Sequence, residues 1–477
     1  MENKYKRLAK NSFWTMIGNT GSKILSFLLL PLYTRWLGTA GFGESDLVTT
    51  YSSFLVCVMT LCISDAIFVF TKNKEESIKK AFFSASLNLT ILLLGIWALL
   101  WAALDTVLGI FEVKNSFVDN LWLIYGIVVT TFIQNYFQQF ILSLEKIKIY
   151  SLTGIIHTIL TFVASFLLIP TMGVRGYILS MIISNLLTGL YSFIFSKSYL
   201  YFAFKQLEWQ KVKEVLKFSI PLIPNGIMWW LVGALNRPLM EYHLSYSDIG
   251  IFAVANRFPA VINMVFAVFM TAWNISVFEE YGKEGYEIFY KRTFRMIFTA
   301  ITFFAGLVIV SSQLIIEIFA APDFFEAWKY MIPLIIGAVF SCMSGFFATN
   351  FSVVRKSKYH LYSSIWGAGT AIIMNFILIP QFGLWGTSLS VVISFIVMMM
   401  SRYVYCMKFV KISLVKEIVR YSIVMVLLAI VNLMPGGVVL KVLLSATVLL
   451  LLMLFEGSII KNLLEAVVGH LRGNNEK

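Results

Sequence analysis

Two cations in this chain stand where cations are expensive. Lys23 lies near the middle of a long apolar segment, and Arg257 lies about two turns inside another. At 1.5 Å per residue Lys23 is roughly 15 Å from either end of its segment, too deep for easy snorkelling. A cation at such a depth must meet water, a carboxylate or an anionic ligand. Ser12, Thr15, Asn19, Ser22 and Ser26 recur around Lys23 at intervals of three or four, so one side of that helix is polar. Arg257 is flanked by Asn256, with Asn263 and Asn274 further along. A guanidinium offers a planar, permanently charged fork that suits phosphate or a sugar-acid carboxylate. The chemistry on offer is recognition of a hydroxylated anion. Structural alternatives stand beside it: hydroxyls that bond back to their own helix, a buried ion pair for Lys23, and head groups or a salt bridge to Asp46 or Asp248 for Arg257.

Further candidates accompany these cations. Trp229 and Trp230 could offer flat faces to sugar rings or simply pack, and Asn225 and Asn236 could bond sugar hydroxyls. Pro221 and Pro224 predict a bend there, and Pro259 predicts a break next to Arg257. Gln134, Asn135, Gln138 and Gln139 could line a polar mouth or glue helices together. Asp65, Asp46 and Glu44 are the nearest thing to coupling-ion carboxylates, although their position near segment ends also suits solvated groups. His157 reads as a hydrogen-bonded packing residue rather than a proton relay. Cys57, Cys62, Cys342 and Cys406 lack ligand spacing and read as small apolar packing residues, so no metal is expected.

The elements that must position these residues are membrane-spanning helices. The chain has 477 residues, 59% of them hydrophobic and 13% charged, with a mean hydropathy of +0.81. Such a chain cannot close around one water-facing surface, so the bilayer is its solvent. Apolar stretches of about 20 residues predict spans over 12–34, 47–70, 81–104, 118–143, 151–170, 175–196 and 218–236. The series continues over 249–277, 294–318, 330–353, 361–380, 384–407, 418–434 and 439–457. Lys and Arg crowd the N-terminus, every second connection and the C-terminal tail, a positive-inside pattern that predicts both ends in the cytoplasm. The net charge of +13 is spread over these connections, which argues for anionic lipid head groups and against nucleic acid. Lys23 at the centre of the first apolar run argues against a cleaved signal peptide.

The chain also contains itself twice. A shift of 210 places Phe166 to Ser184 on Phe376 to Ser394, and ten of nineteen positions are identical without a gap. The match includes Pro170/Pro380, Gly173/Gly383 and Gly176/Gly386, which are turn residues, and it carries Lys146 and Lys148 onto Lys356 and Lys358. A shift of 207 aligns Lys10, Ser12, Pro31 and Gly43 with Lys217, Ser219, Pro238 and Gly250. Two copies of a six-helix unit follow, over 1–196 and 218–408, related as a parallel repeat because six spans return the chain to its starting side. Residues 197–217 suit a cytoplasmic surface helix between them, and 409–477 add two spans and a tail. Under this duplication Lys23 corresponds to Trp230 and Arg257 to Thr50, so the cations are unduplicated.

The opening LAKNSFWTMIGNTGSKILSFLLLPLYTRWLGTAGFGESDLV, the run KFSIPLIPNGIMWWLVGALNRPLM and the run SDIGIFAVANRFPAVINMVFAVFMTAWN resemble the Wzx-type polysaccharide flippases of the multidrug/oligosaccharidyl-lipid/polysaccharide exporter superfamily. The resemblance covers nearly the whole chain. It implies an all-α polytopic protein of about 14 transmembrane helices in the bacterial cytoplasmic (inner) membrane. It also implies translocation of an undecaprenyl-pyrophosphate-linked oligosaccharide to the outer leaflet, for O antigen or capsule synthesis. A polysaccharide polymerase and its chain-length machinery are then the expected partners, and no cofactor is expected.

Residue chemistry supports part of this on its own, since a charged, hydroxylated head group faces a large desolvation penalty in hydrocarbon. The sequence has no phosphate loop, paired cysteines or Gly-x-Ser-x-Gly elbow, so it predicts a transporter rather than an enzyme. A small-molecule cation exporter would want intramembrane carboxylates where this chain has bases. An integral-membrane glycan polymerase would want a long external loop, and the longest here, over 105–117, is short. The expected mechanism is alternating access, with Lys23 and Arg257 engaging the pyrophosphate or acidic sugar.

Overall fold

The computed structural model describes residues 27–203, 208–356, 358–410 and 412–457, and the described residues are helical with no strand. Large apolar side chains remain outside: Leu99 is 75% and Ile110 73% exposed. Water would reject such a surface and acyl chains accept it, which makes this an all-α, multi-pass membrane protein. The predicted first span falls largely outside the described residues. Each later predicted span lies on helix, and the chain divides into two compact units.

The first unit comprises residues up to Trp230 together with 244–250 and 319–323. It begins with α1 (Leu30–Met59), which bends at Gly38, and α2 (Ile63–Thr71). These two meet at 51°, across left-handed Leu61 and Cys62, so the predicted span over 47–70 is broken rather than continuous. Next come α3 (Glu76–Ile110), α4 (Leu121–Ser143) and α5 (Ile147–Phe195). Ile63, Ala66, Phe83, Phe132, Tyr136 and Phe140 form the core, and Val212 and Val215 of α6 (Trp209–Ser219) close it.

Helix α5 shows how the chain turns. Its 49 residues would reach about 74 Å if straight, more than twice a hydrocarbon core of about 30 Å. Instead it doubles back at Gly173, whose φ of 56° and ψ of −128° interrupt the helix three residues after Pro170. The fold-back brings His157 Nε2 within 3.0 Å of Asn185 Oδ1, and Ser165 Oγ within 2.9 Å of Ser180 Oγ. Two predicted spans, 151–170 and 175–196, are the legs of this hairpin.

The second unit comprises 231–243, 251–318 and everything from Phe324. Helix α7 (Leu222–Gly233) leads into it, followed by α8 (Asn236–His243), α9 (Tyr246–Ala255), α10 (Pro259–Glu280), α11 (Tyr286–Val310) and α12 (Ala327–Val353). α12 is buried along nearly its whole length. Stacked Trp273 and Phe346, 4.6 Å apart, pack with Tyr290 and Phe294 at its side. Helix α13 (Lys358–Cys406) repeats the α5 hairpin, with Gly383 at φ 55° and ψ −126°. Ser390 Oγ donates to Asn375 Oδ1 across its legs, at the positions that the 210-residue shift assigns to Ser180 and Ser165. Upstream, Glu145 and Arg355 correspond under the same shift, and both are left-handed, at φ 57° and 55°. The duplication is therefore written in backbone angles as well as in residues.

The added pair, α14 (Val415–Leu433) and α15 (Val438–Phe455), packs on α11. Leu428 and Leu449 close over Gly306, and Thr299 Oγ1 lies 3.0 Å from Tyr421 Oη. At the Lys-rich end the buried Glu456 carboxylate takes Arg295 Nη2 at 2.6 Å and also accepts from Arg420 Nη1. Each guanidinium is about a quarter to a third exposed, so this clamp keeps one side in water.

Candidate functional site

Arg257 owes its position to Pro259. Proline has no N–H for the helical ladder and clashes with the preceding turn, so α9 stops at Ala255 and α10 starts at Pro259. Residues Asn256, Arg257 and Phe258 make the turn, with Arg257 N donating to Val254 O at 3.1 Å. Phe258 and Pro259 turn inward to the core of the second unit, while the Arg257 side chain is exposed. The span predicted over 249–277 falls within the membrane-length stretch Tyr246–Glu280, and the break that Pro259 predicts divides it into two helices joined at the cation. Asp248, one proposed partner for Arg257, caps its own helix: its Oδ2 accepts from Ser245 N at 3.1 Å and from Ser245 Oγ at 2.6 Å.

Below Arg257, α10 has three distinct flanks. Ile262, Phe266, Trp273 and Val277 are buried. Val265, Val268 and Ile275 are exposed and apolar, which suits acyl chains. Between those flanks runs an exposed stripe of Ala260, Asn263, Ala267, Thr271 and Asn274, at intervals of three or four. Small and polar side chains on an exposed membrane helix form a surface that hydrocarbon does not wet well and sugar hydroxyls do. Asn263 also accepts a 3.5 Å contact from Cys342 Sγ of α12, which fixes its amide. Thr271 escaped the sequence reading. Its place on the same face as Asn263 and Asn274 was the signal available.

The residues proposed on span seven separate. Pro221, Asn225, Trp229 and Gly233 are exposed at intervals of four on one side of α7 and its lead-in turn, with Trp229 46% exposed. Trp230 points the other way: its Nε1 donates to Thr50 O at 3.1 Å and its ring lies against Phe54 at 4.8 Å. Trp230 thus packs within the first unit. The span predicted over 218–236 lies mostly on the membrane-length stretch Trp209–Gly233, with turns at Ile220–Pro221, where Pro221 and Pro224 predict a bend, and at Ala234–Leu235.

Asn236 is buried, and its Oδ1 accepts from Arg237 Nη1 at 3.0 Å. Arg237 is a deep cation that sequence reasoning missed. It is buried, donates 2.7 Å to Gly233 O, and lies 5.1 Å from the Phe252 ring. Gly233 O is a carbonyl that the end of α7 leaves without its helical partner, so Arg237 caps the break. The sequence signal was Pro238, which marks the break in the line Asn236-Arg237-Pro238.

The carboxylates proposed for ion coupling are dispersed. Glu44 Oε1 accepts from Asn120 Nδ2 at 2.8 Å and ties α1 to the start of α4. Asp46 lies half-buried on α1, and Asp65 is exposed in the first turn of α2. Cys57 and Cys62 meet across the α1–α2 bend, Sγ to Sγ 3.0 Å, as free thiols. Among the amides of α4, Gln138 Nε2 donates to Thr153 Oγ1 at 3.2 Å and joins α4 to α5. Lys23, Asn19 and Ser26 lie outside the described residues, as do the neighbouring Ser12, Thr15 and Ser22. Among the described residues no group of three or more His, Cys, Asp or Glu could hold a metal.

A family model described as polysaccharide biosynthesis protein matches residues 8–274. The Lsg locus putative protein 1 of Haemophilus influenzae is 25% identical over 283 residues. That match spans 54% of this chain and 63% of the relative, under two thirds of its length. A structure of the lipid II flippase MurJ in an inward closed conformation has a TM-score of 0.71 at 16% identity, over 93% of this chain and 99% of that one. An inward-facing multidrug resistance MATE family transporter of the MOP superfamily has a TM-score of 0.59 at 15% identity, over 83% of this chain and 98% of that one. At these identities the structural likeness is one of fold.

Proposed function

This chain belongs to the polysaccharide biosynthesis protein family, and on that footing we propose that it is a flippase for polyprenyl-pyrophosphate-linked oligosaccharides. Its cargo moves from the cytoplasmic to the outer leaflet of the bacterial inner membrane, with the Lys-rich helix ends and both termini on the cytoplasmic side. The single observation that carries this reading is the exposed polar stripe of α10 headed by Arg257. Asn263 accepts from Cys342 and Thr271 Oγ1 donates to Ala267 O at 3.1 Å, but these exposed side chains and Asn274 keep hydrogen-bonding capacity that hydrocarbon cannot use and a sugar head group can.

In this mechanism no bond is made or broken. Arg257 and Lys23 hold the pyrophosphate or an acidic sugar, while Asn19, Ser26, Asn225, Asn256 and Asn263 exchange hydrogen bonds with hydroxyls. Trp229 offers an exposed face to a ring, and the polyprenyl tail stays in hydrocarbon. The turn at 256–258 supplies a joint for alternating access, because a helix without its ladder bonds bends there at little cost. On the outer leaflet the cargo becomes substrate for a polysaccharide polymerase and chain-length machinery that build O antigen or capsule.

The test is a deletion strain. Lipid-linked repeat units should accumulate on the cytoplasmic leaflet and be cleared by the wild-type gene. Arg257→Ala and Lys23→Ala should fail to clear them at wild-type protein abundance. Clearance by both variants would overturn the assignment of the site.

A further inference from the structure

A second cationic feature lies at the Lys-rich end of α12 and α13, wholly within the second unit. Lys356 Nζ sits 4.8 Å from the centre of the Phe409 ring. Lys358 Nζ is 5.6 Å from Tyr359, and Lys408 Nζ lies 5.3 Å from Tyr405 and 6.0 Å from Tyr359. The rings themselves pack together, Tyr359 being 5.2 Å from Tyr405 and 5.3 Å from Phe409. All three lysines are exposed, and the three rings are half-buried beneath them.

Single lysines elsewhere also lie over a ring, Lys72 over Phe68 at 4.9 Å and Lys441 over Trp328 at 5.4 Å, but here three lysines share one packed set of rings. Lys79, Lys283 and Lys329 each reach a carboxylate three residues away, at 2.7 to 2.8 Å. None lies close to Tyr359 in sequence, since no Asp or Glu occurs between Glu326 and Glu417, and from elsewhere in the chain Glu287 lines a pocket with Phe409. Glu417 itself pairs with Lys291 at 3.3 Å. Three like charges thus share an aromatic floor with no internal counter-charge close in sequence. In the first copy Lys148, Phe195 and Tyr199 stand where Lys358, Tyr405 and Phe409 stand here, but Ile149 and Ser198 take the places of Tyr359 and Lys408, so the central ring and the third lysine are particular to this copy. There Lys146, the counterpart of Lys356, donates instead to Ser196 O at 2.5 Å.

We infer that Lys356, Lys358 and Lys408 bind the phosphate headgroup of an anionic glycerophospholipid in the adjoining leaflet. A ring face covers one side of each ammonium and leaves its remaining N–H donors for phosphate oxygens. The surface toward the membrane interior suits the chains of the same lipid. Tyr362, Trp366 and Val404 are 45%, 58% and 56% exposed, and Trp366 Nε1 donates to Tyr405 Oη at 3.3 Å. Basic clusters at the ends of membrane helices recognise anionic head groups in this way. The inference needs the membrane placement of these helices but not the identity of the cargo.

The experiment is native mass spectrometry of the full-length protein titrated with phosphatidylglycerol, cardiolipin, phosphatidylethanolamine and a polyprenyl pyrophosphate. The combined K356Q, K358Q and K408Q variant should lose at least tenfold in affinity for phosphatidylglycerol and cardiolipin, with phosphatidylethanolamine unchanged. Arginine at the same three positions should restore binding, and K283Q should match wild type. Should the triple variant fold poorly, each single variant should still lose two- to threefold. Unchanged retention of the anionic phospholipids by the glutamine variants would overturn the inference. So would binding of the polyprenyl pyrophosphate alone, which would make the cluster a cargo station.

Discussion

Gly43 and Gly250 face each other within the first unit, each where a side chain would strike the other's helix. A Cβ on Gly43 would stand 2.0 Å from Tyr246 O, and a Cβ on Gly250 would stand 2.0 Å from Thr39 O. The 207-residue shift relates both glycines and both carbonyls, so the crossing is reciprocal, like the self-complementary contact of a two-fold dimer. Backbones this close leave no room for a methyl group. Gly43→Ala or Gly250→Ala must part the helices, at a cost of about 1–3 kcal/mol or more. Either variant should melt below wild type in detergent, and an unchanged melting midpoint would show that the contact relaxes freely.

Gly173 and Gly383 are glycines for a different reason. Space around Gly173 is open, but φ near +55° at both positions disfavours any residue with a Cβ. Alanine at either should cost about 1–2 kcal/mol. Because the two turns share the same angles, the two losses should be equal in thermal denaturation.

Glu456 is the anchor of the C-terminal helix pair. Glu456→Gln leaves two guanidiniums with a weaker acceptor, and their partial exposure lets water take up part of the loss. The expected destabilisation is about 1–3 kcal/mol. Limited proteolysis should show faster cleavage between α13 and α14, with the remainder of the chain protected as in wild type.

Cys57 and Cys62 should be the pair that oxidises. Treatment with diamide should join them into an intramolecular disulfide, since their sulfurs already touch and both are half-buried. Cys342 and Cys406 are buried on other helices and should stay reduced. Peptide mass mapping distinguishes these outcomes.

Along α10 the polar stripe predicts a gradient of effects. Arg257→Ala should reduce transport at least tenfold, Arg257→Lys less, and Thr271→Val or Asn274→Leu by a few-fold each. A leaflet-accessibility assay with lipid-linked oligosaccharide reads this series. Equal activity in all four would remove the stripe from the transport path.

Much of the architecture was legible because the bilayer imposes a single period. Apolar stretches longer than a soluble helix needs marked the spans, and Pro170, Gly173, Pro380 and Gly383 marked the hairpins before their angles were known. The breaks were harder. Pro259 announced its break, but the bend at Leu61 and Cys62 has no proline or glycine to signal it. Side-chain direction was harder still, since adjacent residues on a helix point about 100° apart. Trp229 and Trp230 are indistinguishable in composition, yet one is exposed and the other is hydrogen-bonded to α1. Arg237 was passed over because a buried arginine is rare in sequence terms. Only the broken end of α7 explains why one is tolerated there.

Both feet of the α13 hairpin are basic, Arg355, Lys356 and Lys358 before it and Lys408 after it, while its tip at Pro380–Gly383 carries no charge. During insertion the tip can cross the bilayer freely and the feet resist crossing. The charge pattern of that hairpin alone therefore favours one orientation, with its tip across the bilayer from its feet.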